Sequence, residues 1–323
     1  MHFTLVFAIL LPISHAIDTG TPGVPDDLPK QYRVNFDTRD NGACQGFEDL
    51  LKTSYSEAFM AVEAAKTSLN FFIAPKPEPK QDRLGVLRWN RIGRTLEALF
   101  APHKTDNFES LQKDIRALPH LNGVLGPPSS VYCSSGWRKM LHPTDEDPTD
   151  TEDPKRSISI THPHEDAPAW LYSIPDNKLG DSKNANFNDP CGPDNLAFTI
   201  FGFSAITFCL DTLESKTDVK ATITDEKDHI QTGDPIGNHR TIAEMWVHEY
   251  VGQDFDAIDA QGRPKTLPNG DPEKSYGWDN IVNLARFTPD RARRTPDAYE
   301  LFANAMFYDN FDWSNGRAAP LKT

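Results

Sequence analysis

Thr241-Ile-Ala-Glu-Met-Trp-Val-His-Glu-Tyr-Val-Gly252 is the stretch on which the reading of this chain turns. Ile242, Ala243, Met245, Trp246, Val247, Tyr250 and Val251 place apolar side chains on nearly every side of the helix it predicts. A helix that is apolar all round is a buried one. Glu244, His248 and Glu249 break the pattern. Charged and titratable side chains are rarely buried unless they are paired or bind something, so the stretch predicts a site as well as a core.

Downstream, Ala260 to Ser275 is rich in Gly, Pro and Asp and predicts a loop, and Asp279 to Ala285 suits a short helix. The last helix has Thr295 as its cap and Pro296 in its first turn, with Tyr299, Leu301, Phe302, Ala305 and Met306 along a face. Upstream, Lys216 to Gly237 reads as polar loop with a short strand at Val219–Ile223. Leu196 to Leu210 is β-branched and aromatic, which predicts one or two buried strands. Apolar residues at three- and four-residue steps predict helices over Phe47–Phe72, Trp89–Phe100 and Asn107–Leu118. Residues 17–43 read as extended up to Val34, and Leu121 to Trp137 as a turn-rich segment.

Between Thr144 and Asp153 six acids fall within nine residues, which predicts a solvated, mobile loop. These carboxylates lack the spacing of an EF-hand calcium loop. His162 and His164, beside Glu165 and Asp166, offer metal-ligating groups, but in so polar a stretch a solvated role is the simpler expectation.

The 323 residues suffice for one large domain or two lobes. A formal charge of −14 argues against nucleic acid and anionic membranes as partners. Residues 1–16 read as a secretory signal: a short apolar run from Phe3 to Leu11, then Ser14-His15-Ala16 as the small-residue cleavage site. A secreted, extracellular, monomeric protein beginning near Ile17 is expected. Export makes Cys44, Cys133, Cys191 and Cys209 candidates for two disulfides, with three connectivities open.

His248-Glu249 is the first half of His-Glu-x-x-His, in which two histidines one turn apart hold zinc and the intervening Glu serves as general base. Gly252 stands where the second His would be and offers no ligand. The surrounding carboxy-terminal half resembles the aspzincins, the deuterolysin-like and lysine-specific fungal metalloendopeptidases. Their zinc helix is followed by Gly-Thr-x-Asp-x-x-Tyr-Gly, over which Gly270-Asp-Pro-Glu-Lys-Ser-Tyr-Gly277 lies, with Asp271 for the Thr and Glu273 for the ligand Asp. The terminal Ala298-Tyr-Glu-Leu-Phe-Ala-Asn-Ala305 and the closely spaced Cys191 and Cys209 add to the likeness, which covers 191–312 well and 44–133 loosely.

The resemblance implies zinc held by His248 and Glu273, Glu249 as general base, Tyr276 as a substrate or oxyanion contact, and the pairs Cys44–Cys133 and Cys191–Cys209. Glu244, one turn before His248, and His239 are the candidates to replace the lost ligand. The expected fold is α+β and zincin-like, helix-rich with a small sheet. It divides into the signal (1–16), a mainly helical part (17–137), an acidic insertion (138–190) and a metallopeptidase-like part (191–323). The expected function is a secreted zinc metalloendopeptidase acting on protein or peptide substrates. The alternative is a non-catalytic pseudopeptidase that binds a secreted protein partner.

Overall fold

The computed structural model describes residues 28, 32–102, 108–117, 129–163, 167–182, 189–192, 195–214, 219–220, 222–250 and 255–321. Gly252, His164, Glu165, Asp166 and the 1–16 segment lie outside them. The protein is a mixed structure of helices and small sheets, as the α+β expectation requires.

The main sheet joins β1 (Tyr32–Val34), β2 (Ser129–Tyr132), β6 (Ala197–Ile200) and β7 (Ala205–Phe208) in the order β1-β2-β7-β6. The first three strands in that order run parallel, with Tyr32 opposite Ser129 and Ser130 opposite Ala205. β6 turns back antiparallel on β7, pairing Thr199 with Ile206, and forms one edge of the sheet. Among the helices are α1 (Glu48–Ile73), α2 (Arg83–Phe100), α3 (Phe108–Ala117), α4 (Ile242–Tyr250), α5 (Trp278–Phe287) and α6 (Pro296–Phe307). α2 starts earlier than its apolar stripe suggests, because the Asp82 carboxylate accepts from the Gly85 N–H and caps it.

α4 is the keystone. Trp246 is fully buried and packs its ring on Tyr32 of β1, Tyr55 of α1 and Phe208 of β7, at centroid distances of 5.6, 5.2 and 4.7 Å. Its indole N–H donates to Ser54 Oγ at 3.0 Å, so burial leaves no polar group unpaired. α1, α4 and α6 pack against one another, and every described α6 residue from Pro296 to Met306 is buried.

Both disulfides expected from the resemblance are formed. Cys44–Cys133 ties the chain just before α1 to the end of β2, and Cys191–Cys209 brackets the β6–β7 hairpin. Among the described residues, no helix is long and apolar enough to cross a membrane.

The acidic insertion departs from expectation. Its described residues fold into an antiparallel sheet of β3 (Arg138–Leu141), β4 (Ala169–Ser173) and β5 (Lys178–Ser182), with a small core of Leu141, Ile158 and Trp170. The run between Thr144 and Asp153 is largely exposed, as expected, but it is an ordered loop with one buried acid. Asp147 is buried and accepts hydrogen bonds from the Thr149 N–H, Thr149 Oγ1 and Thr161 Oγ1. Asp150 takes a two-pronged bond from Arg156 at 2.6 and 2.9 Å. His162, expected in solvent, pairs with Asp147 and packs on Trp170. The partners come later in the chain, so acid density alone could not reveal them.

Two smaller differences follow the same logic. The strand expected at 219–223 is a single bridge from Lys220 to Thr241, after which Thr222 caps a short helix over Ile223–Lys227. The loop expected at 260–275 is organised by antiparallel bridges, including Asp256 with Lys274 and Thr266 with Pro272.

Candidate metal centre

α4 reaches the site through its last turn, and α6 meets it with its first. Asp297 and Glu300 stand three positions apart on α6, which places both carboxylates on one face. His248 Nδ1 lies 2.9 Å from Asp297 Oδ1 and 3.1 Å from Glu300 Oε2. Among the described residues, these three form the one group of histidine, cysteine and acidic side chains whose ligating atoms all lie within 4.8 Å of one another.

The surroundings fix this arrangement. The Gly277 N–H, at the start of α5, donates to Asp297 Oδ2 and holds that carboxylate from the side away from His248. The Tyr276 ring rests against the imidazole at 5.8 Å, and its side chain is half-exposed at the rim. Tyr276 and Gly277 also wall a hollow of about 390 Å³ beside the site, with Trp278, Lys265, Asn280 and Arg317 around it.

The electrostatics follow from two acids at one imidazole. Burial pulls the His248 pKa down, but the hydrogen bonds that Asp297 and Glu300 accept from its imidazole, with their charges, outweigh it and hold the value well above the ordinary one. Glu244, buried beside them, is pushed well above the usual carboxylate range, first by burial and then by the Glu300 charge. A borderline nitrogen donor with two oxygen donors is a set that divalent transition metals accept. The buried Glu244 Oε1, which has no hydrogen-bond partner, is the mark of a cluster not fully satisfied by protein alone.

The residues singled out from sequence divide into two sets. His248 and Tyr276 are at the centre. Glu249 follows His248 on α4 but is held from β6: Thr199 Oγ1 lies 2.7 Å from Glu249 Oε2 and 3.1 Å from its carbonyl oxygen. Glu273 pairs with Lys265 Nζ at 2.6 Å and accepts from Asn280, and Lys265 holds its carboxyl below the usual range. His239 shares its Nδ1 with Glu226 at 2.6 Å. Glu244 is buried one turn before His248 on α4 and is not among the converging ligating groups. Gly252 lies outside the described residues.

Sequence reasoning passed over Asp297, Glu300 and Thr199. A signal for the first two was present: two acids one turn apart within an otherwise apolar helix, the same anomaly that drew attention to Glu244 and His248.

No family model matches this chain, and neither a curated protein nor a solved structure does so.

Proposed function

We propose that this chain is a secreted, metallopeptidase-like protein that holds zinc at His248, Asp297 and Glu300 and hydrolyses peptide bonds with Glu249 as general base. The observation that carries this reading is the convergence of one imidazole nitrogen and two buried carboxylate oxygens at the junction of α4 and α6. Packing alone gives no reason to bury Asp297, Glu300 and Glu244 in a core where apolar residues of similar volume cost less. A perturbed cluster of this kind beside a hollow is the expected form of a functional site.

Bound zinc supplies Lewis acidity toward a peptide carbonyl and a water acidified to near neutrality. The chain supplies the rest. Among the described residues β6 is an edge strand beside α4, where an extended peptide could pair with its main chain. Thr199, on that same strand, fixes the Glu249 carboxylate. Tyr276 places a half-exposed phenol at the rim, where it can contact bound peptide. The two disulfides are compatible with export.

A second reading, a pseudopeptidase that binds a secreted protein partner, is favoured by one observation. Glu249 and Glu273, both assigned to the chemistry by resemblance, are engaged by Thr199 and by Lys265.

The deciding experiment measures zinc per chain in the purified secreted protein after dialysis, beside a His248→Ala variant, and then peptidase activity beside Glu249→Gln. About one zinc, lost in H248A, with activity lost in E249Q supports the enzyme. Zinc without activity supports the pseudopeptidase, and no zinc in either protein overturns the metal reading.

A further inference from the structure

Arg286-Phe-Thr-Pro-Asp-Arg-Ala-Arg-Arg294 joins α5 to α6 and carries four arginines against one acid. The whole chain has 47 acids to 33 lysines and arginines, so a basic run here goes against the composition. Its arginines are not alike. Arg293 is tied down, because its Nη1 donates to Asp114 Oδ2 of α3 at 3.1 Å. Arg291 and Arg294 are exposed and share one aromatic ring instead. Their guanidinium carbons lie 5.8 and 5.1 Å from the Phe255 centroid. Arg294 Nε also donates to the Asp290 carbonyl oxygen at 3.3 Å. Among the described residues, no carboxylate pairs with Arg291 or Arg294.

Phe255 makes the pair a fixed feature. It packs on a small core of Ile258, Leu284, Ala285 and Ala292, and its carbonyl oxygen accepts from the Ser275 N–H and Oγ, each at 2.9 Å. Two like charges gathered on one ring repel, and an anion bound beside them relieves that repulsion. Guanidiniums already laid on a ring lose little freedom on binding, and their planar forks match a carboxylate two bonds at a time. Arg286, exposed at the end of α5, lies 5.3 Å over the ring of Phe287, which is itself 40% exposed. An exposed ring among guanidiniums suits a partner that offers apolar side chains together with its acids. A peptide does so, whereas a sulfated polysaccharide offers anions alone. The net charge of −14 does not oppose a short partner, because at physiological salt exposed charges more than about 8 Å apart are largely screened. A long polyanion would meet the rest of the acidic surface.

We propose that Arg286, Arg291 and Arg294, with Phe287, form a docking surface for an acidic peptide segment of another protein. None of these residues belongs to the metal centre, and docking does not depend on zinc.

The test is fluorescence anisotropy of a short labelled peptide of Glu residues around a single Leu, titrated with the full secreted chain. The same peptide with Gln for Glu serves as its uncharged counterpart. The proteins compared are wild type, the double variant Arg291→Gln with Arg294→Gln, and Arg317→Gln as an exposed arginine elsewhere, each checked for folding by its thermal transition. The expected result is binding of the Glu peptide that weakens as salt is raised. The double variant should bind about 3- to 30-fold more weakly and R317Q as wild type does. Should the double variant not fold, R291Q and R294Q singly decide the matter. Equal affinity for the Glu and Gln peptides overturns the proposal, as does a double variant that binds like wild type. Binding of heparin without binding of the Glu peptide overturns it in favour of a polysaccharide. Repeating the titration with a chelator present should leave affinity unchanged, so this proposal and the metal reading fail separately.

Discussion

The Nδ1 of His248 lies 2.9 Å from Asp297 Oδ1, and this contact joins the last turn of α4 to the first turn of α6. It brings a histidine and an aspartate far apart in sequence into one buried centre, with Glu300 as the third member. In the metal-free chain the imidazole keeps its proton, shared toward two carboxylates. A metal ion entering the centre must displace that proton.

Zinc affinity is therefore expected to depend steeply on pH. The His248 pKa is held well above its ordinary value, so at neutral pH and below each bound ion releases a proton. Apparent affinity should rise about tenfold per pH unit until His248 titrates. Titrations at three pH values in one non-chelating buffer check this. A flat profile would place metal binding away from His248.

Stability of the metal-free chain should change in the opposite sense. His248 and Glu244 both have folded-state pKa values above their unfolded ones. A raised value means that the folded state holds the proton more tightly. The stabilisation is complete below the unfolded pKa and is lost as pH climbs through the folded one. The window for Glu244 opens near its ordinary carboxylate value of about 4.5, and that for His248 at about 6.5. The Tm of the metal-free protein is expected to fall as pH rises above these ordinary values, and to fall less in E244Q, which cannot ionise there. Parallel Tm curves for the two proteins would refute the Glu244 component. Acids held low elsewhere, Asp147, Asp150 and Glu273 among them, lose their contribution at more acid pH.

The Trp246–Ser54 pair offers a test of the core. Ser54→Ala leaves the buried indole N–H without its partner and should cost about 1–3 kcal/mol. Trp246→Ala removes a fully buried ring that touches both the sheet and α1, with an expected cost of about 3–5 kcal/mol. Urea denaturation followed by circular dichroism measures both. A Trp246 variant as stable as wild type would mean that α4 is not the keystone.

Asp147 is expected to hold the insertion together. Burial pushes its carboxyl up, but hydrogen bonds from Thr161 and Thr149 outweigh this and keep it below the usual range. Asp147→Ala strands those donors around a small core of Leu141, Ile158 and Trp170. Limited proteolysis should then cut within residues 142–162 much faster than in wild type, while zinc content stays unchanged. Equal cleavage rates would return this stretch to the loop that its composition suggests.

For the peptidase reading, Thr199→Val is the informative change, because it removes the hydroxyl beside Glu249 and keeps the shape. A general base typically contributes 10²- to 10⁴-fold, so E249Q should lose at least about 100-fold in kcat/KM at unchanged zinc content. T199V should lose less, through misorientation of a base that is still present. If neither variant alters hydrolysis, Glu249 is not the base.

Much of the architecture was legible without coordinates because it depends on local pattern. The apolar wrap of 242–251 determined that α4 is buried. The steps of Leu50, Leu51, Tyr55 and Ala58 marked α1, and Thr295-Pro296 marked the start of α6. Thr295 does not cap with its side chain, however: its hydroxyl turns back to the Arg291 carbonyl. Charges within apolar helices also signalled a site, since a buried titratable group needs a partner wherever that partner lies.

Which partner each group finds was decided by tertiary structure. Glu273 lies in a tract that matches a ligand motif, yet the bridges of 256–274 set it against Lys265. Asp297 and Glu300 face His248 because α6 packs on α4, a relationship between helices that no spacing along the chain encodes. Asp147 and Asp150 could not be told from the exposed acids of 145–153, because the groups that hold them arrive with Arg156, Thr161 and His162. Periodicity and composition determine which faces must be buried, because those are short-range properties of the chain. The pairing of buried polar groups depends on distances across the fold, and only the packed structure sets them.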